Sequence, residues 1–407
     1  MSDGKPDTVQ TEARLAERRW VFILGVPVAT LLMVALLVEL GFHLVPNHYR
    51  DLVPWRATGQ WHVPGQTYVY YGAFLSPRQP PGVAPNVVQW NRGGWHDADH
   101  DPQHPIAGTR ILVLGDSYVE GIQVRLDELY HRQLERLLSE KGHVPVEAVA
   151  MGASGWGQAH ELDALKTQGL GYHPSLVIAE FLAGNDVRNN NADLERLANE
   201  QMKRSSWARE WFVDSLNGGL LFPAFLFDRL DLGIRQSRGQ QDPVDSDVYR
   251  VSPHTPPALW DAAWARTAVL VRDMKGAADR AGAAFLLVVF TSPMEIEAWV
   301  PGTPPAPHEM DMRLPARRML GICAAQQVAC LDLAPRFARL PKAEREQVHL
   351  AGDGHWSRVG HRLAAEETVK YLTEETRMWP RRDVRVTASS GRDVGRKKDT
   401  RTRLPAG

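Results

Sequence analysis

Five short apolar runs, separated by segments with helical periodicity, constrain this chain more than any other feature. They lie at Arg110–Leu114, Val146–Ala150, Leu176–Leu182, Phe285–Phe290 and Val328–Leu333. Runs of this length, rich in Val, Ile and Leu and apolar at nearly every position, read as strands buried on both faces. Helical patterns fall at about 127–140, 158–169, 257–281, 312–326 and 357–374. Strand and helix alternating in this way give βαβ units, and right-handed crossovers then place helices on both faces of a parallel sheet. The expected fold is an α/β, three-layer α/β/α domain, and no internal repeat competes with it.

Composition excludes the main rivals. A chain of 407 residues that is 43% apolar and 23% charged can build a sizeable core, so global disorder and small stapled domains are excluded. Its two cysteines, Cys323 and Cys330, cannot form a disulfide framework or a four-thiolate zinc site by themselves and read as buried thiols. The net charge of −1 is a sum of opposites: 37 basic against 45 acidic residues up to 376, then ten Lys/Arg against three Asp beyond. A mildly acidic body without an Arg/Lys stripe argues against a nucleic-acid partner. The basic tail, 377–407, has almost no large apolar residues and is expected to be disordered, with anionic lipid or polymer as a possible contact.

Near the N-terminus, Trp20 to Val38 is apolar except for Gly25, Pro27 and Thr30. As a helix, this run spans roughly 28 Å, close to a bilayer core. Arg14, Arg18 and Arg19 precede it and no Lys or Arg follows until Arg50, so the positive-inside rule leaves the N-terminus cytoplasmic and the rest periplasmic or extracellular. Glu39-Leu40-Gly41-Phe42 lacks a small-x-small cleavage pattern, which favours an uncleaved anchor over a signal peptide. The expected organisation is a cytoplasmic segment 1–19, a transmembrane anchor 20–45, a Pro/Trp-rich linker or lobe 46–108, the main domain 109–376 with an insertion at about 188–255, and the tail. In the linker, His96, His100 and His104 alternate with Asp97, Asp99 and Asp101. Pro102 and Pro105 oppose the helix that would align their rings, so the stretch reads as a solvated loop rather than a metal site.

In open parallel sheets, ligands bind beyond the carboxyl ends of the strands. Gly115-Asp116-Ser117 follows the first run, Gly152-Ala153-Ser154-Gly155-Trp156-Gly157 the second and Gly184-Asn185-Asp186 the third; a long loop with Asp353-Gly354-His355-Trp356 follows the fifth. Each tripeptide alone is an ordinary turn; their joint order behind strands is specific. On these blocks, over about residues 86 to 374, the sequence resembles the SGNH, or GDSL-type, hydrolase superfamily. Asn91-Arg92-Gly93-Gly94-Trp95-His96-Asp97 is similar to a short motif of its membrane-anchored bacterial members. The resemblance implies a flavodoxin-like sheet of order 2-1-3-4-5 and Ser117 as nucleophile. It also implies the oxyanion donors Ser117 (backbone), Gly155 and Asn185, with Asp353 and His355 as the partners of Ser117, and it calls for no metal or cofactor.

The residue types suit acyl transfer. A serine hydroxyl needs a base, and a neutral imidazole is the side chain best poised to act near pH 7. Gly155 lets backbone approach closely and Asn185 adds a neutral donor. Asp116 and Asp186 read as braces for their loops. Many family members space the acid and His by two residues, but here the local carboxylate, Asp353, is one residue removed from His355. An extended backbone would project both to one side, and related alginate-type O-acetyltransferases have a similar Asp-x-His-Trp; a dyad with a backbone carbonyl holding the ring is the alternative. His349 is a reserve base and His361 structural. The insertion, with Trp207, Trp211, Phe212, Leu216, Leu220 and Leu221, reads as a helical cap, or as a lid over an acyl or sugar site that touches the bilayer. The functional expectation is an esterase acting on an ester or O-acetylated envelope carbohydrate. An O-acyltransferase onto polysaccharide and a silent membrane-tethered binding or assembly module are the alternatives, and the sequence leaves protein partners unknown.

Overall fold

Strands form where the apolar runs lie: β3 (Thr109–Gly115), β4 (Val146–Gly152), β5 (Leu176–Leu182), β6 (Ala284–Phe290) and β7 (Ala329–Asp332), all paired in parallel in the order β4-β3-β5-β6-β7. This is the 2-1-3-4-5 order of the expectation. The computed structural model describes residues 21–45, 49, 62–70, 86–104, 108–204, 207–237, 246–249, 257–304, 310–351, 353–376 and 378–379. The N-terminal segment 1–19 and the basic tail, apart from Met378 and Trp379, lie outside the described residues.

Alternate side chains of β3 divide between two cores. Leu112 and Leu114 face a cluster built with helices Gln158–Thr167, Pro257–Arg280 and Leu314–Ala325. Ile111 and Val113 face a second, built with helices Tyr130–Gly142 and Arg358–Lys370. Full burial of β4 and β5 explains why their sequences are apolar runs rather than alternating ones. The closing helix starts where Ser357 accepts hydrogen bonds from the Val359 and Gly360 amides, an ordinary N-cap.

Two short antiparallel strands, β1 (Thr67–Tyr70) and β2 (Asn86–Gln89), stand outside the main sheet, inside the segment whose composition indicated a linker or lobe. The loop that follows corrects the solvated reading of 96–104. His104 is exposed, but His96, Asp97 and the His100 ring are buried. Prolines do keep the stretch out of a helix; it turns inward because the Asp97 carboxylate accepts from His100 (3.0 Å), His131 (3.1 Å) and the Ala150 amide (2.8 Å). Burial opposes ionisation of Asp97, but the two histidines outweigh it and hold the carboxyl well below its usual range. His100 also meets Glu147 (2.7 Å), which pairs with Arg110 across the β3–β4 register (2.6 Å).

The apolar N-terminal run forms helix Val26–Leu44, entered through one wider turn at Val21–Gly25. Ile23–Leu44 has a mean hydropathy of 2.4, and none of that window is buried. Such a helix near the N-terminus is an anchor or a signal sequence. The insertion holds helices Ala192–Arg204, Trp207–Asn217 and Leu221–Ser237 among its described residues. Cys323 and Cys330 are free thiols.

Candidate active site

β3 ends on a glycine whose place a larger residue could take only by displacing its neighbours. A Cβ on Gly115 would run into the Glu180 carboxylate and Val119, and its register partner Gly152 would bring one within 2.8 Å of Val119 Cβ. The two bare positions let the first turn after β3 sink onto the sheet end. Asp116 then caps helix Ser117–Glu120 by accepting from the Tyr118 amide (2.8 Å), and Gly121, left-handed at φ 56°, stops it after one turn.

Ser117 opens that helix, and its Oγ lies 2.8 Å from His355 Nε2. On the other side of the ring, Nδ1 is 2.6 Å from Asp353 Oδ1. A carboxylate on Nδ1 fixes the ring proton there and leaves the Nε2 lone pair facing the hydroxyl. Burial lowers the affinity of the His355 ring for a second proton, but the Asp353 hydrogen bond and charge outweigh it, so its pKa is raised above the ordinary value. Burial likewise opposes the Asp353 charge, and the His355 and Tyr70 bonds overcome it, so this carboxyl is lowered.

The acid reaches the ring by a route different from the extended backbone expected. Gly354 is left-handed (φ 91°), the Asp353 and Gly354 amides both return to Leu350 O, and Asp353 Oδ1 also accepts from the His355 amide (3.1 Å). The pair is therefore joined through a tight turn with Asp353 as its side-chain cap. Of the two alternatives open in the sequence, the carboxylate and not a backbone carbonyl holds the ring. Tyr118 OH donates to Gly354 O (2.7 Å), tying the histidine loop to the serine helix, and the fully buried Trp356 anchors it against Phe290 at 4.2 Å between ring centroids.

Of the proposed oxyanion donors, Asn185 follows β5 and gives one amide hydrogen to Asp116 Oδ2 (2.9 Å), which leaves its second hydrogen uncommitted to that bond. Gly155 sits in the loop after β4 with φ 78°, and a Cβ there would meet open space. Glycine is needed at this position for its backbone angle rather than for close approach. Asp116 and Asp186 brace their turns: Asp186 Oδ2 accepts from the Leu182 amide (2.9 Å) and from Gln158 (2.6 Å). His349 bonds Thr291 O (2.7 Å) and His361 accepts from the Tyr130 amide (3.2 Å). Burial lowers these rings to about 4 and about 3, so both are neutral parts of the framework.

Three further groups escaped the sequence reading. Tyr70, from β1, donates to Asp353 Oδ2 (2.9 Å). Glu120, three residues after Ser117, is buried, accepts from the Ser154 amide (3.1 Å) and hydroxyl, and meets His62 Nε2 at 2.5 Å. It thereby fixes the residue preceding Gly155. Glu180 lies beneath the serine turn and accepts from the Asp116 amide (2.9 Å); burial and then the charges of Asp116 and Asp186 push its carboxyl well above the usual range. The one sequence signal was a charged residue inside an otherwise apolar run, at Glu180. Among the described residues, no three His, Cys, Asp or Glu side chains converge as metal ligands would.

A parallel α/β sheet with a seryl hydroxyl, an imidazole and a carboxylate in line beyond the carboxyl end of β3 defines a serine-type hydrolase architecture. Residues 113–363 match the model of the GDSL-like Lipase/Acylhydrolase family, and the chain belongs to that family, a hydrolase acting on esters. A search of curated proteins finds no match. Similar solved structures include TesA (13% identity, 65% of this chain and 98% of that one, TM-score 0.36). The lipase/acylhydrolase from Enterococcus faecalis aligns at 14% identity over 66% of this chain and 96% of its own, with a TM-score of 0.37. The psychrotrophic esterase EstA from Pseudoalteromonas sp. aligns at 11%, over 66% and 98%, with a TM-score of 0.35.

Proposed function

We propose that the chain cleaves carboxylic esters through an acyl-Ser117 intermediate, outside the cytoplasm and held at the membrane by its uncleaved N-terminal helix, with O-acetylated envelope carbohydrate as the substrate class. The observation that carries the chemistry is the in-line hydrogen bonding from Ser117 to His355 (2.8 Å) to Asp353 (2.6 Å). His355 Nε2 takes the Ser117 proton as Oγ bonds to the acyl carbon. The Ser117 amide, the Gly155 amide and the second amide hydrogen of Asn185 face the oxyanion that forms. As the carbon–alkoxide bond breaks, the same proton passes to the departing alcohol. Water then repeats the sequence on the acyl-serine, His355 taking its proton and returning it to Oγ. The location reading rests on the apolar helix and on Arg14, Arg18 and Arg19 before it, and the carbohydrate reading follows from that location, where envelope carbohydrate is the acylated material at hand.

A fluorophosphonate probe tests the intermediate: it labels the wild type and fails to label Ser117→Ala. Labelling of Ser117→Ala would remove the nucleophile. Release of acetate from p-nitrophenyl acetate falls by at least about 10⁴-fold in Ser117→Ala and His355→Ala, and by about 10²–10³-fold in Asn185→Ala. Adding an acetylated or a free glycan to the acyl-enzyme separates hydrolysis from transfer: free acetate supports the esterase, and acetyl groups appearing on the glycan make it a transferase.

A further inference from the structure

The apolar helix does not leave the folded body by a free linker. Its Glu39 carboxylate accepts from the first two amides of helix Leu221–Ser237, at Leu221 (2.7 Å) and Phe222 (2.8 Å). Phe42 packs against Phe222 and Phe225 at 5.9 and 5.4 Å between ring centroids. Just beyond, Tyr49 lies edge-on to Phe212 and Phe225 and donates to Asp228 (2.8 Å). A small core of Tyr49, Phe212, Leu216, Leu221 and Ala224 thus joins the outer end of the apolar helix to the hairpin of helices Trp207–Asn217 and Leu221–Ser237. Glu39 also has a reason to stand in an apolar helix: it caps the N-terminus of another.

That hairpin carries charged residues, Glu210 and Asp214 among its exposed ones, and also an apolar outer patch. Its inner side makes the small core, yet Leu220, Leu226 and Leu230 are exposed, Trp207 and Trp211 are 55% and 57% exposed, and both rings gather on Phe227. An exposed apolar patch holding two such indoles is not ordinary surface. Glu39 is five residues from the end of the helix at Leu44, about 7.5 Å along its axis, which is the depth of the headgroup and acyl boundary when the helix spans a bilayer. At this depth the hairpin is joined to that helix through Glu39 and Phe42.

We infer that the 207–237 hairpin is a membrane-interfacial platform, seated on the bilayer leaflet from which the N-terminal helix emerges, with Trp207 and Trp211 at the headgroup level and Leu226 and Leu230 toward the acyl chains. Indole combines a large apolar face with one N–H donor, which suits that boundary. The platform fixes the orientation of the body on the membrane, where a tether alone would let it swing. The inference rests on the anchor reading of the proposed function.

The test reconstitutes the full chain in phosphatidylcholine and phosphatidylglycerol vesicles whose acyl chains are brominated near the headgroup, and compares wild type with W207F/W211F. Wild-type tryptophan emission is quenched by the brominated lipid. The double variant loses a large part of that quench while it still floats with the vesicles and hydrolyses p-nitrophenyl acetate at the wild-type rate. Equal quench in two vesicle-bound chains overturns the platform. So does a cross-linked homodimer in which Trp207 and Trp211 are shielded from brominated lipid, because a second copy then covers the face. A chain that does not float, or whose mature N-terminus begins after residue 45, removes the anchor and the platform together, and flotation and mass tell that outcome from the other two.

Discussion

Asp353 is held by two groups that come from opposite ends of the sequence, and they have separable effects on His355. The His355 bond orients and charges the ring, while the Tyr70 bond holds the carboxylate's other oxygen. The base works only when neutral, so activity rises as pH passes through the pKa of His355, which lies above its ordinary value because of Asp353. Asp353→Asn removes the raising partner and leaves burial, which lowers it. The acid limb of kcat therefore moves to lower pH, and kcat falls by on the order of 10³–10⁴-fold as the tautomer is lost. Tyr70→Phe keeps the charge, so its acid limb does not move down, and kcat falls by about 10-fold for one hydrogen bond to a charged group. A pH–rate profile of both variants decides it; a Tyr70→Phe limb displaced like that of Asp353→Asn overturns the separation. Ser117, Asp353 and His355 were legible because each sits in a local block behind a strand. Tyr70 was not: it stands 283 positions from its partner, and nothing local in its neighbourhood signals the pairing. Glu180 makes a second prediction at this scale. Its raised carboxyl is protonated when folded and ionised when unfolded, so folding takes up a proton, and stability falls as pH climbs from the unfolded pKa towards the folded one. Glu180→Gln cannot take part, and above the ordinary carboxylate pKa its unfolding free energy in urea has a pH slope shallower by up to about 1.4 kcal/mol per pH unit. Identical slopes would mean that Glu180 is ionised in the native state.

The elements were read correctly where the pattern was long. All five sheet strands fall within two residues of their expected limits, since continuous apolar runs between helical periods leave little freedom. The β1–β2 pair went unread because four-residue strands in a Pro/Trp-rich segment carry no period to detect, and its small apolar cluster is built on Tyr68, Val88 and the following Trp90. Glycine roles divide in the same way. Gly152 lies at a strand end where a Cβ would meet Val119 Cβ at 2.8 Å and the Glu120 amide at 3.0 Å; Gly321, within helix Leu314–Ala325, would meet nothing within 4 Å. Gly152→Ala must push the one-turn helix that carries Ser117 and lowers stability by about 1–3 kcal/mol, with kcat falling more than KM changes. Gly321→Ala raises stability by about 0.5–1 kcal/mol through the unfolded chain and leaves kcat alone. Thermal unfolding of the pair reads the opposite signs, and a Gly152→Ala protein as stable as wild type would show that the helix end is not tightly seated.

At the scale of the molecule, the question is where the catalytic body begins. The family match starts at 113, and the sequence placed the main domain from 109, but the contacts start earlier. His62 meets Glu120, Tyr70 meets Asp353, Asn86 donates to Ile122 O and Val124 O, His96 bonds Glu120 O, and Asp97 and His100 reach His131 and Glu147. The residues they touch lie on the serine helix, the loop after it, helix Tyr130–Gly142 and β4, so the early segment braces one whole side of the site. Cutting the chain at 109 strips partners from the buried Glu120, Glu147 and His131, and breaking a buried pair by removing one partner costs about 3–5 kcal/mol. Several such losses together exceed a sizeable share of a domain's whole stability. A chain of residues 109–376 is therefore expected to be poorly folded and without esterase activity, whereas residues 46–376 fold and hydrolyse p-nitrophenyl acetate. Circular dichroism melting and acetate release on the two chains check this. A 109–376 chain that melts at the temperature of the longer one, and turns over at its rate, would make the early segment a linker after all. If it folds but turns over about 10-fold slower, with its acid limb in place, the deficit is that of Tyr70 alone.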